Sequence, residues 1–315
     1  MSSSVAIVMY HYVRDVARTR FPRTKALSVD EFRGQLGHLT RHYCVVSIEE
    51  LVAAARDGTR ALPPNAALLT FDDGYLDHYA TVLPLVLDAG VPAAFFPPAL
   101  PVLERRVLQV NKIQFVLAAV EHVGQLVEAV MRRIDAEGAP YGMPSADTYW
   151  EMNARATRFD SPSVVFVKAM LQRELPEELR RSLVADLFAR FVTSDEAAFA
   201  AELYVDADQL RTMVESGMYV GSHGYHHEWM DRLTPEDQRV EVDRSLTFLD
   251  KVGAPTDEWV MCYPYGAYDE SLLGVLRQRN CAVGLTSRPE LAKLGTDDRL
   301  VLPRLDTNDL PTADI

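Results

Sequence analysis

The run Leu68-Leu69-Thr70-Phe71-Asp72-Asp73-Gly74-Tyr75 constrains the fold more than any other stretch of the chain. An apolar, β-prone segment that ends abruptly in two carboxylates and a glycine describes a buried strand delivering acidic side chains to its C-terminal edge. Neighbouring residues on a strand point to opposite faces, but a strand end and a turn release that constraint and let both carboxylates reach one place. Two like charges so close are costly unless a cation or a shared proton compensates them. The same letters also describe a turn in which Asp72 or Asp73 caps a helix starting near Tyr75, so the rest of the chain has to decide.

That chain alternates. Val5-Ala6-Ile7-Val8-Met9-Tyr10 is another continuous apolar run, and it leaves His11 at its end, where β/α enzymes keep catalytic groups. A structural histidine under a loop is the other reading of His11. Ser28 starts a helix reaching about Arg41, and Ser47 with Glu50 forms a capping box for the next one, after a short strand at 43–46. Helical spacing follows Tyr75 as far as Gly90, and further apolar strands are predicted at 92–96, 218–222, 259–263 and 282–285, with a last ordered signal at 302–306. Helices fall between them at 206–215, from Thr234 to about Val252, and at 270–278. Short apolar strands separated by amphipathic helices predict parallel β/α units.

The alternation breaks between 101 and 199, where the periodicity is helical, chiefly over 107–130 and 176–191. An insertion of this size suits a lid, a specificity element or a homo-oligomer surface. Its mixed charges, with His122, read as a solvated face.

With 32 basic and 45 acidic residues the net charge is −13, which argues against nucleic acid or an anionic membrane as the main partner. Only Cys44, Cys262 and Cys281 are present, with no CxxC spacing, and they read as small core residues on strand-like runs. The first apolar run is too short for a membrane span and lacks a basic n-region, so no transmembrane segment and a reducing, cytoplasmic setting are expected.

Three of the eight histidines fall within five residues, in Ser222-His223-Gly224-Tyr225-His226-His227, at a strand end on the same expected rim as the two aspartates. Imidazoles four apart share one face of a helical turn and can hold one metal ion, and a carboxylate completes a facial N,N,O set with positions left for water and substrate. A chance cluster of surface histidines is the alternative.

Thr70-Phe71-Asp72-Asp73-Gly74, His223-x-x-x-His227 and Tyr263-Pro264-Tyr265-Gly266, in that order and each at a strand end, resemble the motifs of the polysaccharide deacetylase family, the NodB-homology carbohydrate esterases of family 4. The resemblance implies an α/β fold, a distorted (β/α)7-type barrel over residues 1–100 and 200–315 interrupted by the helical insertion 101–199. It implies a divalent ion, usually zinc, held by Asp73, His223 and His227, with Asp72 as general base and the backbone N–H of Tyr265 facing the oxyanion. The family often has Ser or Thr where this chain has Gly224. An arginine that pairs with the base is replaced by Cys262, for which Arg304 is the candidate substitute. A late histidine acid is absent, since none follows His227, and Met9-Tyr10-His11-Tyr12-Val13 resembles the N-terminal Tyr-His segment that supplies the acid in one branch of the family, making His11 the candidate.

The expectation is a metal-dependent hydrolase that removes the acyl group of an N-acetylated amino sugar in a surface-glycan, lipid-linked or nucleotide-linked precursor. Hydrolysis of a non-sugar amide and sugar binding without catalysis are the alternatives.

Overall fold

The computed structural model describes residues 4–56, 61–157 and 160–312. The chain divides into two units, one made of Met1–Asp15, Lys25–Arg106 and Ala200–Ile315, the other of Val16–Thr24 and Val107–Phe199.

The first unit holds all the named strands: β1 (Ser4–Tyr10), β2 (Cys44–Val45), β3 (Ala66–Asp72), β4 (Ala94–Phe96), β5 (Tyr219–Val220), β6 (Val260–Cys262), β7 (Val283–Leu285), β8 (Ala292–Lys293) and β9 (Leu305–Asp306). β3 is buried along its whole length, as a central parallel strand should be. It pairs in parallel with β1 over Val5–Tyr10, with β2 at its start and with β4 at its end. From β4 the parallel pairing passes to β5, through a Ser222–Met261 bridge to β6, and on to β7. A Leu285–Leu302 bridge and the β9–β1 pairing bring it back to β1. The expected α/β barrel architecture is therefore present in distorted form, with two of its links reduced to single bridges.

Strand parity sorts the side chains. Val5, Ile7, Leu68, Phe96, Val260, Cys262, Val283, Leu285 and Leu302 share one apolar cluster to which nearly every strand contributes, the interior of the ring. Ala6, Val8, Tyr10, Leu69, Phe71 and Phe95 belong to another, packed against Phe32, Leu36 and Leu39 of the helix Val29–His42. Period-2 alternation along β3 puts Leu68, Thr70 and Asp72 on the inward side, so the strand that builds the core also presents its terminal carboxylate at the mouth of the ring.

Two caps form as the sequence predicts. Ser28 and Glu31 make a reciprocal capping box, and Ser47 with Glu50 makes another at the helix Ile48–Arg56. Cys44, by contrast, is exposed rather than a core residue: β2 is two residues long and pairs with β3 alone, at that strand's start. Neither Asp72 nor Asp73 caps a helix. Asp73 instead takes a left-handed conformation (φ 72°), and the next helical turn, His78–Val82, begins beyond it.

The second unit is helical, as the insertion's periodicity predicts. The single run expected over 107–130 is two helices, Gln109–Ala119 and Gly124–Glu137, because Val120 turns extended (ψ 135°) and ends the first. Phe21, Phe115, Phe188 and Phe199 meet edge to face in its core. Buried Lys112 is neutralised there by Glu196 at 2.9 Å, whose other oxygen accepts from the Val107 N–H. His122 is exposed.

Candidate active site

The site residues gather at the C-terminal ends of the strands of the first unit. Arg304 follows the Leu285–Leu302 bridge and points inward, with only 1% of its side chain exposed. Its guanidinium makes a two-pronged bond to Asp72, Nη1 to Oδ1 at 2.9 Å and Nη2 to Oδ2 at 2.7 Å. Nε donates to the Thr286 carbonyl at 2.9 Å, and Nη1 also reaches the Thr70 hydroxyl at 3.1 Å. A charge this deep needs its donors satisfied, and the fork matches the carboxylate. Burial alone would push the Asp72 carboxyl up, but the Arg304 charge, His223 and the Arg304 hydrogen bonds outweigh it and hold the group at about 2. Cys262 lies against the same pair, where its buried thiol sits near Asp72 and His223.

Asp73 faces the histidines. Its Oδ1 is 3.5 Å from His223 Nε2 and 3.3 Å from His227 Nε2, while Oδ2 accepts from the Tyr75 hydroxyl at 2.6 Å. His223 Nδ1 lies 2.7 Å from the Cys262 carbonyl, which can only accept, so Nδ1 carries a proton and Nε2 is the nitrogen turned toward Asp73. Asp73 Oδ1 lies buried between the two ring nitrogens and makes no regular hydrogen bond among the described residues. The edge of a tetrahedron with metal–ligand bonds of about 2.0–2.1 Å measures about 3.3–3.4 Å, close to both separations. The three groups therefore fit a divalent cation. Burial would raise the Asp73 carboxyl, yet the flanking His223 and His227 hold it well below the usual carboxylate range.

The His223–His227 segment is not the helical turn that its spacing suggests. Gly224 (φ 73°) and His227 (φ 61°) both take left-handed conformations and fold it into a loop that brings the two rings edge to face, 4.8 Å apart.

Tyr265, also left-handed (φ 59°), follows β6 in the turn Pro264–Gly266. Its ring packs edge-on against His227 at 4.7 Å and stacks on Trp229 at 4.2 Å. Gly266 is required next to it, since a side chain there would strike Ser287. His11 comes one residue after the Tyr10–Phe71 pair, level with Asp72 on the neighbouring strand, and its charge acts on Asp72, Asp73 and His227. The structure thus brings together all seven residues singled out from the sequence: His11, Asp72, Asp73, His223, His227, Tyr265 and Arg304.

Three supporting residues escaped the sequence reading. Tyr75 ties down one oxygen of Asp73 and stacks on Tyr12 at 3.9 Å. His78, pushed down to about 4 by burial, is neutral and donates Nε2–H to the His11 carbonyl at 2.9 Å. Glu241 lies buried under the histidine loop. The only sequence signal for Glu241 is a polar residue on the apolar stripe of an amphipathic helix.

A family model for polysaccharide deacetylases matches residues 188–284, the stretch that contains His223, His227, Glu241 and Tyr265. The chain is 26% identical over 89 residues to YxkH of Bacillus subtilis (strain 168), itself assigned to the polysaccharide deacetylases. That match covers 28% of this chain and 32% of YxkH, so it spans about a third of the curated relative. Among solved structures, the Streptococcus pyogenes deacetylase PplD superposes with a TM-score of 0.58 at 15% identity, over 97% of this chain and 93% of that one. IcaB from Ammonifex degensii gives 0.54 at 18% identity, over 96% and 91%. The BpsB deacetylase domain from Bordetella bronchiseptica gives 0.53 at 17%, over 96% and 95%. At these identities the structures establish a common fold. The chain thus carries a polysaccharide deacetylase segment over residues 188–284, on a fold that it shares with these deacetylases.

Proposed function

We propose that this protein is a divalent-metal-dependent N-deacetylase that hydrolyses the acetamide of an amino sugar in a surface glycan or in a lipid-linked or nucleotide-linked precursor of one. The observation that carries the reading is the convergence of Asp73, His223 and His227 on one point beside the Arg304-bound Asp72. The cytoplasmic setting expected from the sequence goes with a precursor rather than an exported polymer.

Asp73, His223 and His227 would hold the ion, zinc being the usual one in the family. When bound, it would supply a water nucleophile at neutral pH and polarise the acyl carbonyl. Asp72 takes the proton of the attacking water, and Arg304 keeps both its oxygens in place while it does so. The backbone N–H of Tyr265 donates to the oxyanion as the carbonyl becomes tetrahedral. His11 protonates the departing amine, an amide anion being too poor a leaving group, while His78 anchors the His11 backbone.

The purified protein is expected to take up about one zinc per chain, as a three-ligand catalytic site would. So loaded, it should release acetate from at least one member of a panel of N-acetylated nucleotide sugars and glycan fragments. A folded protein that takes up no divalent ion sinks the proposal. Zinc uptake with no acetate from any member turns it toward a non-sugar amide or a sugar-binding role. For His11→Ala the expected result is a kcat lower by about 10²–10⁴ with zinc uptake unchanged, the range of a lost general acid. Undiminished turnover removes His11 from the mechanism.

A further inference from the structure

The helix Pro235–Lys251 buries Gln238, Glu241 and Ser245 along with its apolar residues. Three polar side chains on a core-facing stripe are costly unless each is bonded. Gln238 donates to the Met230 carbonyl at 2.9 Å, and Ser245 shares a 2.7 Å hydrogen bond with Ser222. Glu241 faces the loop between the two histidine ligands. Its Oε2 accepts from the backbone N–H groups of Tyr225 and His226, both at 3.0 Å, and Oε1 accepts from the His226 ring Nδ1–H.

The rest of the loop is held as fully. The Gly224 N–H donates to the Ser222 hydroxyl at 3.2 Å. On the opposite side, the Gly224 and Tyr225 carbonyls accept from Ala99 at 3.3 Å and Leu100 at 2.9 Å. Arg244 lies over the Tyr225 ring at 3.5 Å and donates to His226 Nε2 at 3.2 Å. Successive N–H groups next to a left-handed residue form a concave anion-binding nest, and here the anion is a side chain of the protein's own scaffold. Gly224 offers no hydroxyl to brace the loop from within.

We propose that Glu241 is the positioning residue of the metal centre, the internal anion around which the His223–His227 loop is wound so that both imidazoles converge on Asp73. The assignment rests on reading Asp73, His223 and His227 as a metal site. Glu241 touches neither ion nor substrate. It acts by fixing the backbone that carries the ligands, as groups behind metal ligands do. No other element on the N–H side of the loop offers an acceptor to Tyr225 and His226 among the described residues.

The test is zinc affinity measured by chelator competition, with the visible spectrum of the cobalt-loaded protein as a second readout. Glu241→Ala is expected to bind zinc about 10- to 100-fold more weakly and to show an altered cobalt spectrum even at saturation. Glu241→Gln still offers one oxygen to both N–H groups and is expected to restore affinity to within about threefold of the wild type, a rescue that general loss of packing would not permit. Arg239→Ala, on the exposed face of the same helix, should bind zinc as the wild type does. Should the alanine variant not fold, Glu241→Asp keeps the charge but withdraws the oxygens by one methylene, and it should bind about tenfold more weakly. Wild-type affinity and spectrum in a folded Ala or Asp variant overturn the assignment. Failure of the wild-type protein to bind zinc overturns instead the metal reading beneath it.

Discussion

Arg304→Met is expected to destabilise the fold by about 3–5 kcal/mol and to abolish most turnover, because it leaves the Asp72 carboxylate buried without its counter-charge. The two groups are 1% and 2% exposed, so neither can turn to solvent when its partner is lost. Removal of the guanidinium also strips the Thr286 carbonyl and the Thr70 hydroxyl of a donor. Arg304→Lys keeps the charge but replaces a planar fork by a single point, and it should recover only part of the loss. Urea unfolding of wild type and variants reads the stability, and acetate release reads the base. The pH dependence has a definite sign. Asp72 is depressed to about 2 from an unfolded value of about 3.9, so the stabilisation is complete above pH about 4 and fades as the pH falls toward 2. The gap between wild type and Arg304→Met should narrow over that window. A variant as stable and active as the wild type at neutral pH would show that Arg304 does not hold the base.

Asp73→Asn is expected to lose zinc affinity by at least about a hundredfold and activity by about a thousandfold or more, with the fold intact. The substitution is clean for a structural reason. Asp73 sits at φ 72°, a conformation that asparagine tolerates better than any other near-isosteric replacement, and the amide oxygen can still accept from Tyr75. What disappears is the negative charge that His223 and His227 face. Asp72→Asn, by contrast, should retain zinc and lose turnover, since Asp72 is bound to Arg304 and is not one of the three converging groups. The two adjacent variants therefore separate ligand from base, zinc content being measured on each. Equal zinc content in both would erase the division of labour between the two carboxylates.

Much of this site is legible in the letters because its residues cluster at strand ends, where an apolar run gives way to a polar one. Asp72 and Asp73 follow Leu68-Leu69-Thr70-Phe71, His11 follows the first apolar run, and His223 follows Val220-Gly221-Ser222. Chain reversals at strand ends supply both the loss of alternation and the place for function. The histidine loop shows the limit of spacing. Residues four apart suggest a helical face, but left-handed Gly224 and His227 deliver the rings by another route. Local pattern describes which residues are near one another in the chain. It does not describe the dihedral angles that a distant carboxylate demands.

Glu241, Tyr75 and His78 lie beyond that limit for a different reason. Each is an ordinary member of a helix or turn by its neighbours, and its role exists only through a partner elsewhere: the N–H groups of Tyr225 and His226, the carboxylate of Asp73, the carbonyl of His11. The exposure of Cys44 likewise goes with its place on β2, which is two residues long and pairs with β3 alone.

By itself the sequence determined the β/α alternation and the helical character of the inserted segment, since hydrophobic periodicity and capping are properties of neighbouring letters, while the set of seven site residues and their expected roles came from the resemblance of its motifs to a known family. Only the tertiary structure decided how those residues meet: through a two-pronged bond between Arg304 and Asp72, through a left-handed loop that turns both histidines toward Asp73, and through a buried glutamate that holds that loop. Those are facts about strands meeting around a ring, where long-range register sets which charge finds which partner.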